Sequence, residues 1–305
     1  MTVSVVVKTL NRPRFLHSAL ADIARQTHLP DEVVVVNDGG DPQAVHKAAE
    51  DSNLSVRIID LAETGGRAHA ANVGVTNASG EYLVIHDDDD SWDPEFLAVT
   101  TEWLDTHPDD EGVVVRTNIV YDRLNEDGSL TELSQAPFER DLHEVTLADL
   151  LRVNRFVPIS FLYRRDAHRT YGLFDESLPV VEDWAFHMKL ARNRPIPIIP
   201  GRPLASWHQR LDTTGDAGNS VVVSHEAHRR FDLLKRDAAL REDPSGVGGL
   251  LYLTRFLDDR FHDMHERFDR QGKQVTELES QIGRLQKELT DESWLSFIRR
   301  KLRRR

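Results

Sequence analysis

Glu81-Tyr82-Leu83-Val84-Ile85-His86-Asp87-Asp88-Asp89-Asp90-Ser91-Trp92 is an apolar run that ends in four consecutive carboxylates. The apolar part predicts a strand buried in a sheet. The quartet gathers like charge at the point where that strand stops, which is unfavourable unless a cation or solvent accommodates it. Two readings fit: a divalent cation bound there, or a polar turn in which Ser91 or Asp93 caps a helix opening at Pro94.

Three further segments have the same form. Val3-Ser4-Val5-Val6-Val7 precedes Thr9-Leu10-Asn11-Arg12, Val33-Val34-Val35-Val36 precedes Asn37-Asp38-Gly39-Gly40, and Ser55-Val56-Arg57-Ile58-Ile59 precedes Thr64-Gly65-Gly66-Arg67. Between them, Phe15, Leu16, Ala19, Leu20 and Ile23 recur at helical spacing, and a second helix is expected from about Arg67 to Val75. Strands alternating with helices predict right-handed βαβ units and a doubly wound, mostly parallel α/β sheet. Such sheets take ligands at the carboxyl ends of their strands, where these polar clusters lie.

The second half is less regular. Strand material is expected at 112–116, 118–121 and 157–163, a turn at 125–128, an extended polar excursion at 129–145, and a helix beginning near Glu182. Ile196–Pro200 and Leu204–His208 read as edge strands, because proline cannot donate to a ladder. From about Ser224 the chain becomes helical, with a break at 242–246. Val275, Leu278, Ile282, Leu285 and Leu289 form a short heptad seam that suits a coiled coil and a homo-oligomer, or an ordinary amphipathic helix.

The 305 residues carry a net charge of −13. Six of the 38 basic residues fall within 299–305, which leaves −19 for the rest and argues against nucleic acid as a partner. Trp294-Leu295-Ser296-Phe297-Ile298 beside that basic run suits an interfacial helix on an anionic membrane surface; a solubilising tail is the other reading. The absence of cysteine excludes disulfides, thiolate metal sites and cysteine nucleophiles. No signal-like start and no membrane-spanning run is present, so a cytoplasmic protein is expected, peripheral on the inner face of the membrane if the tail binds there.

From Val3 to about His208 the chain resembles the family 2 glycosyltransferases, which are inverting enzymes of the GT-A fold. The likeness rests on Ser4–Arg12, Val35–Gly39, Gly66–Gly74, Gly80–Trp92 and Phe174-Asp175-Glu176 followed by Val181-Glu182-Asp183-Trp184, five motifs in the family's order. The resemblance implies a GT-A domain over 1–215, with a nucleotide-sugar half at 1–116 and an acceptor half at 117–215. A helical extension at 216–290 and a basic amphipathic tail at 291–305 would follow.

It implies roles by position. Thr9 and Asp38 match nucleobase contacts, and Arg67 a basic group over the diphosphate. The Asp-x-Asp motif (DxD) falls on Asp87 and Asp89, with Asp89 the principal ligand of Mn²⁺ or Mg²⁺, Asp87 at the ribose or metal, and Asp88 a neighbour in the donor site. His208 matches a histidine that completes the coordination in some GT-A enzymes, while His86 is expected to be packed. Asn72 would hold the acidic loop or satisfy backbone groups. Asp183 matches the catalytic base, with Glu182 orienting a loop or a sugar hydroxyl. Each has a plainer reading in capping, turn formation or helix-dipole charge.

The implied activity is metal-dependent, inverting transfer of a sugar from a nucleotide-diphosphate sugar to a hydroxyl on a glycan, lipid-linked glycan or cell-surface polymer precursor. A non-catalytic nucleotide-sugar-binding scaffold of the same fold is one alternative. A sugar-1-phosphate nucleotidylyltransferase is another, and the glycine-free Lys8-Thr9-Leu10-Asn11-Arg12 counts against it.

Overall fold

Strand β1 (Val3–Thr9) is buried along its whole length and lies between β2 (Glu32–Asn37) and β4 (Tyr82–Asp87), parallel to both. Both faces of this sheet are covered, so alternate side chains of one strand enter different cores. Val3, Val5, Val7, Val33, Val35 and Val84 pack with Leu16, Leu20 and Ile23 of α1 (Pro13–Ala24). Val6, Val34, Val36, Leu83 and Ile85 face Ala68, Ala71 and Val75 of α3 (Arg67–Asn77). This division explains why the strands read as continuous valine runs. A computed structural model describes the chain except residues 53, 126, 128, 211–224, 243–246 and 304–305. The expected boundary at 215, parts of the 125–128 turn and the 242–246 break, and the last two arginines therefore lie outside the described residues.

The main sheet has eight strands, in the order β3 (Val56–Asp60), β2, β1, β4, β10 (Phe161–Arg164), β6 (Gly112–Val115), β11 (Ile196–Ile199), β9 (Glu144–Val145). Helices α2 (Pro42–Glu50) and α4 (Phe96–Thr106) join the core that holds α1, and α7 (Glu182–Leu190) joins the one that holds α3. Two short helices, α5 (Leu147–Arg152) and α6 (Ala167–Tyr171), lie between β9 and α7 in the chain. A second sheet of four strands runs β5 (Ser91–Trp92), β12 (Ala205–Gln209), β7 (Thr117–Leu124), β8 (Leu130–Phe138). The polar excursion is thus the outer arm of a β7–β8 hairpin.

Two expectations are corrected. Neither β11 nor β12 is an edge: β11 lies between β6 and β9, and β12 between β5 and β7. Pro197 is tolerated inside the sheet because it faces the two-residue β9, where little ladder is lost. The helix expected to open at Pro94 starts at Phe96, because Ser91–Trp92 is drawn into the second sheet by β12.

The compact body spans Met1–Tyr252 and contains α8 (His225–Glu242). The fully buried Arg236 fastens α8 to that body, donating to the carbonyls of Leu151 at 2.7 Å and Arg152 at 3.0 Å and lying 4.8 Å over the Trp184 ring. A second unit, Leu253–Arg305, is formed by α9, which runs Val247–Leu302. Among the described residues no helix is long and apolar enough to cross a membrane.

Candidate active site

The close approach of α3 to β1 sets the site. A Cβ on Gly74 would stand 2.2 Å from Val6 Cγ1, so only glycine lets the helix lie this near. The start of α3 then presents Arg67 at the carboxyl edge of the sheet, beside the end of β4. Arg67 Nη2 donates to Asp87 at 3.3 Å, and its Nε lies 3.6 Å from Glu182. One guanidinium therefore joins the acidic turn to the first turn of α7.

Each carboxylate of the quartet has a different environment. Asp87 receives Lys8 as well as Arg67, and these cations outweigh the burial that would raise its carboxyl, holding it well below the usual range. Burial pushes Asp88 up to about 7 against the opposing Arg12, and Asp89 adds to the rise. Asp88 also accepts from Thr9 Oγ1 at 2.7 Å. Asp89 is bound by Arg12 at 3.3 Å and by Arg210, whose guanidinium stacks 4.6 Å over Phe15. Asp90 accepts from the His208 backbone N–H at 2.9 Å; burial beside Asp89 and Asp87 raises its carboxyl well above the usual range.

His86 is fully buried, set edge-on to Trp92 at 4.4 Å, with Nδ1 on the Asp87 carbonyl at 2.7 Å. Burial lowers it to about 4, so it is a neutral packing residue near neutral pH.

At the start of α7 the two acids diverge. Glu182 turns toward Arg67, while Asp183 accepts from Asn154 Nδ2 at 2.8 Å. Burial raises both carboxyls, Arg67 opposing the rise in each. Asn154 Oδ1 in turn meets His187 Nδ1 at 3.2 Å, and that ring stacks on Phe156 at 3.9 Å. Burial lowers His187 to about 3, so it is neutral and its Nδ1–H donates to Asn154. Val181, immediately before the pair, has φ 62°, a left-handed conformation rare for a β-branched residue and of a kind concentrated at functional sites. A small pocket opens here, lined by Lys8, Ile85, Phe161, Glu182, Asp183 and His187.

Other expected site residues have different partners. Asp38 accepts from Thr64 Oγ1 at 2.9 Å and from the N–H groups of Gly65 at 2.7 Å and Gly66 at 3.1 Å, so it shapes the loop before α3. Gly39, at φ +82°, permits this: a Cβ there would stand 2.6 Å from Thr64 N. Asn72 holds Phe174 through both backbone groups at 2.9 Å and Glu176 at 2.8 Å, and so fixes the approach to α7 rather than the acidic turn. His208 places Nδ1 2.6 Å from Asp122 and Nε2 2.7 Å from Ser91. Both ring nitrogens are therefore engaged, and the structure does not bring the ring to Asp87 and Asp89 as a third ligand.

Among the described residues no three His, Asp or Glu side chains converge as a metal cage. The donor set nonetheless fits a hard cation. The six acidic side chains Asp87–Asp90, Glu182 and Asp183 offer only oxygen donors, the kind a hard cation takes, beside the cations Lys8, Arg12, Arg67 and Arg210. Mg²⁺-like ions are commonly held by one or two carboxylates together with substrate phosphates. Asp87 and Asp89 are the candidates here. Lys8, Arg12, Arg210 and Asn154 were not singled out from sequence; for the arginines and lysine, the excess of acid at one sheet edge was the available signal.

The solved structures it is similar to include that of Staphylococcus aureus TarS residues 1–349 in complex with UDP-GlcNAc (TM-score 0.58, 21% identity, 81% of this chain and 69% of that one). Another is the Pyrobaculum calidifontis mannosyltransferase PcManGT in complex with GDP-Man and Mn²⁺ (TM-score 0.57, 22% identity, 84% of this chain and 69% of that one). The fold is accordingly GT-A-like, a mixed α/β sheet followed by a helical region. In sequence the chain is 29% identical over 252 residues to the uncharacterized glycosyltransferase YwdF of Bacillus subtilis, covering 80% of this chain and 87% of the relative. It is 28% identical over 234 residues to the poly(ribitol-phosphate) beta-N-acetylglucosaminyltransferase TarS of S. aureus, covering 74% of this chain and 38% of that protein. The glycosyl transferase family 2 profile matches residues 4–172, more than half of the chain and the stretch that holds the acidic turn with Lys8, Arg12 and Arg67, so the chain belongs to glycosyl transferase family 2 and is a glycosyltransferase.

Proposed function

We propose that the protein transfers a sugar from a nucleotide-diphosphate sugar to a hydroxyl acceptor with inversion, using Asp183 as base and Mn²⁺ or Mg²⁺ held through Asp87 and Asp89. The observation that carries the reading is the Arg67 bridge from Asp87 to Glu182, which ties the acidic turn to the start of α7, where Glu182 and Asp183 line the pocket with Lys8. The nucleotide-sugar complexes of the similar structures support the donor class.

In this reading the acceptor oxygen attacks the anomeric carbon from the face opposite the diphosphate. Its proton passes to an Asp183 oxygen, the new C–O bond forms, and the bond to the diphosphate oxygen breaks. Lys8 and Arg67 offset charge growing on the leaving group. The bound metal would supply further charge neutralisation on the diphosphate. Asn154, fixed by the neutral His187, holds the Asp183 carboxylate in one orientation. Replacing Asn154 by Ala is expected to lower kcat about tenfold to a hundredfold with little change in donor KM, the pattern of an interaction used mainly in the transition state.

The test is release of nucleoside diphosphate from a panel including UDP-GlcNAc and GDP-mannose, with and without Mn²⁺. A non-catalytic scaffold would bind a donor yet release nothing above background. The similarity to a poly(ribitol-phosphate) transferase supports a polymeric or lipid-linked glycan as acceptor.

For the tail, Leu295 and Phe297 are more than half exposed beside Arg299, Arg300 and Lys301. This pattern supports contact with an anionic inner membrane face. Removing residues 291–305 is expected to weaken partition onto phosphatidylglycerol vesicles at least about tenfold, on roughly 1 kcal/mol per basic residue. Equal partition of the two forms would refute the contact.

A further inference from the structure

The unit from Leu253 onward exposes a regular apolar row. Phe261, Met264, Phe268, Val275, Leu278, Ile282 and Leu285 are each between 42% and 61% exposed. With Gln271 they fall at alternating steps of three and four residues, over about 36 Å of helix at 1.5 Å per residue. Phe261, Phe268, Val275 and Ile282 take the first core position of each heptad, and Met264, Gln271, Leu278 and Leu285 the second. A long helix with one apolar stripe, weakened by the low helix propensity of Gly272 and Gly283, draws most of its stability from whatever packs on that stripe.

We propose that the occupant is a second copy of this chain, forming a parallel, in-register, two-stranded coiled coil over residues 261–285. Three observations select it. First, β-branched Val275 and Ile282 at the first core position with Leu278 and Leu285 at the second is the arrangement that favours two parallel strands. Second, the single polar layer at Gln271 meets its own counterpart only in register, where one amide can donate to the other; a slip of one heptad buries it against Met264 or Leu278. Third, residues 261–288 carry six acidic and five basic side chains, a nearly neutral flank unlike the cationic one that anionic lipid selects. Across the flanks a parallel pair sets Arg267 beside Gly272 and Gln274 beside Glu279, so no like charges oppose there.

The full chain is expected to sediment at twice its 34.8 kDa across the micromolar range. The double substitution Leu278→Asp, Ile282→Asp should give the monomer mass with the thermal melt of the body unchanged. Because the chain has no cysteine, Leu278→Cys should oxidise to a disulfide-linked dimer, whereas Glu277→Cys on the outer face should not. If the double variant fails to fold, the Leu278→Cys result still decides. A monomeric wild type, a trimeric or larger mass, a dimer indifferent to the double substitution, or a dimer that Leu278→Cys cannot link would each overturn the proposal.

Discussion

Asp183→Asn is expected to lower kcat for sugar transfer by about 10²–10⁴, the usual contribution of a positioned general base. The amide nearly matches the carboxylate in size, so Asn154 keeps a hydrogen-bonding partner and the fold should persist. Affinity for nucleoside diphosphate should change little, because in this reading the donor is held by Lys8, Arg67 and the acidic turn. The wild type has a further signature. Burial, opposed by the Trp184 N–H and Arg67, raises the Asp183 carboxyl above its ordinary value. A base works only when ionised, so kcat/KM should fall as pH drops through that raised value, placing the acid limb above the roughly 4 of a free aspartate. The residual activity of Asp183→Asn should lack that limb. Equal nucleoside diphosphate release by the two proteins would remove Asp183 from the mechanism and leave the donor-site assignment standing.

Arg236→Ala should destabilise the body by about 3–5 kcal/mol. The side chain is fully buried and donates to carbonyls of Leu151, Arg152 and Leu251, with Asp232 3.0 Å from its Nε. Alanine would leave carbonyls and a carboxylate without the donor they use here, and would also remove the cation from the Trp184 ring. At about 2–4 °C per kcal/mol for a body of this size, Tm should fall by roughly 6–20 °C. Arg236→Lys should rescue little of it, since one ammonium cannot reproduce a planar fork reaching several acceptors. A melt within about 2 °C of wild type would show that α8 contributes little to the body. Trp184 follows Asp183 directly, so the same substitution is expected to loosen the start of α7 and lower kcat as well.

Much of the fold was legible because its signals are local. The valine runs of β1 and β2, the helical spacing of α1 and the strand ahead of Asp87 each depend on residues adjacent in the chain, and the structure places them as read. The polar clusters follow those strands and so share one sheet edge. The second half was harder to read. The β7–β8 hairpin has an exposed outer strand whose polar sequence lacks alternation, and β11 and β12 gained neighbours on both sides only through chain crossovers.

The sequence by itself determined the family, the doubly wound sheet and which residue types collect at its carboxyl edge, because backbone propensity and burial on two faces leave a periodic record along the chain. Tertiary structure alone decided the partners. The Asp38 carboxylate shapes the loop before α3, Asn72 fastens the approach to α7, His208 lies between Ser91 and Asp122, and Asn154 reaches Asp183 across 29 residues of chain. A side-chain hydrogen bond is set by distances between elements far apart in sequence, and those distances follow from packing: with no side chain at Gly74, where a Cβ would stand 2.2 Å from Val6 Cγ1, α3 lies close to β1 and places Arg67, and with it the bridge between the acidic turn and α7.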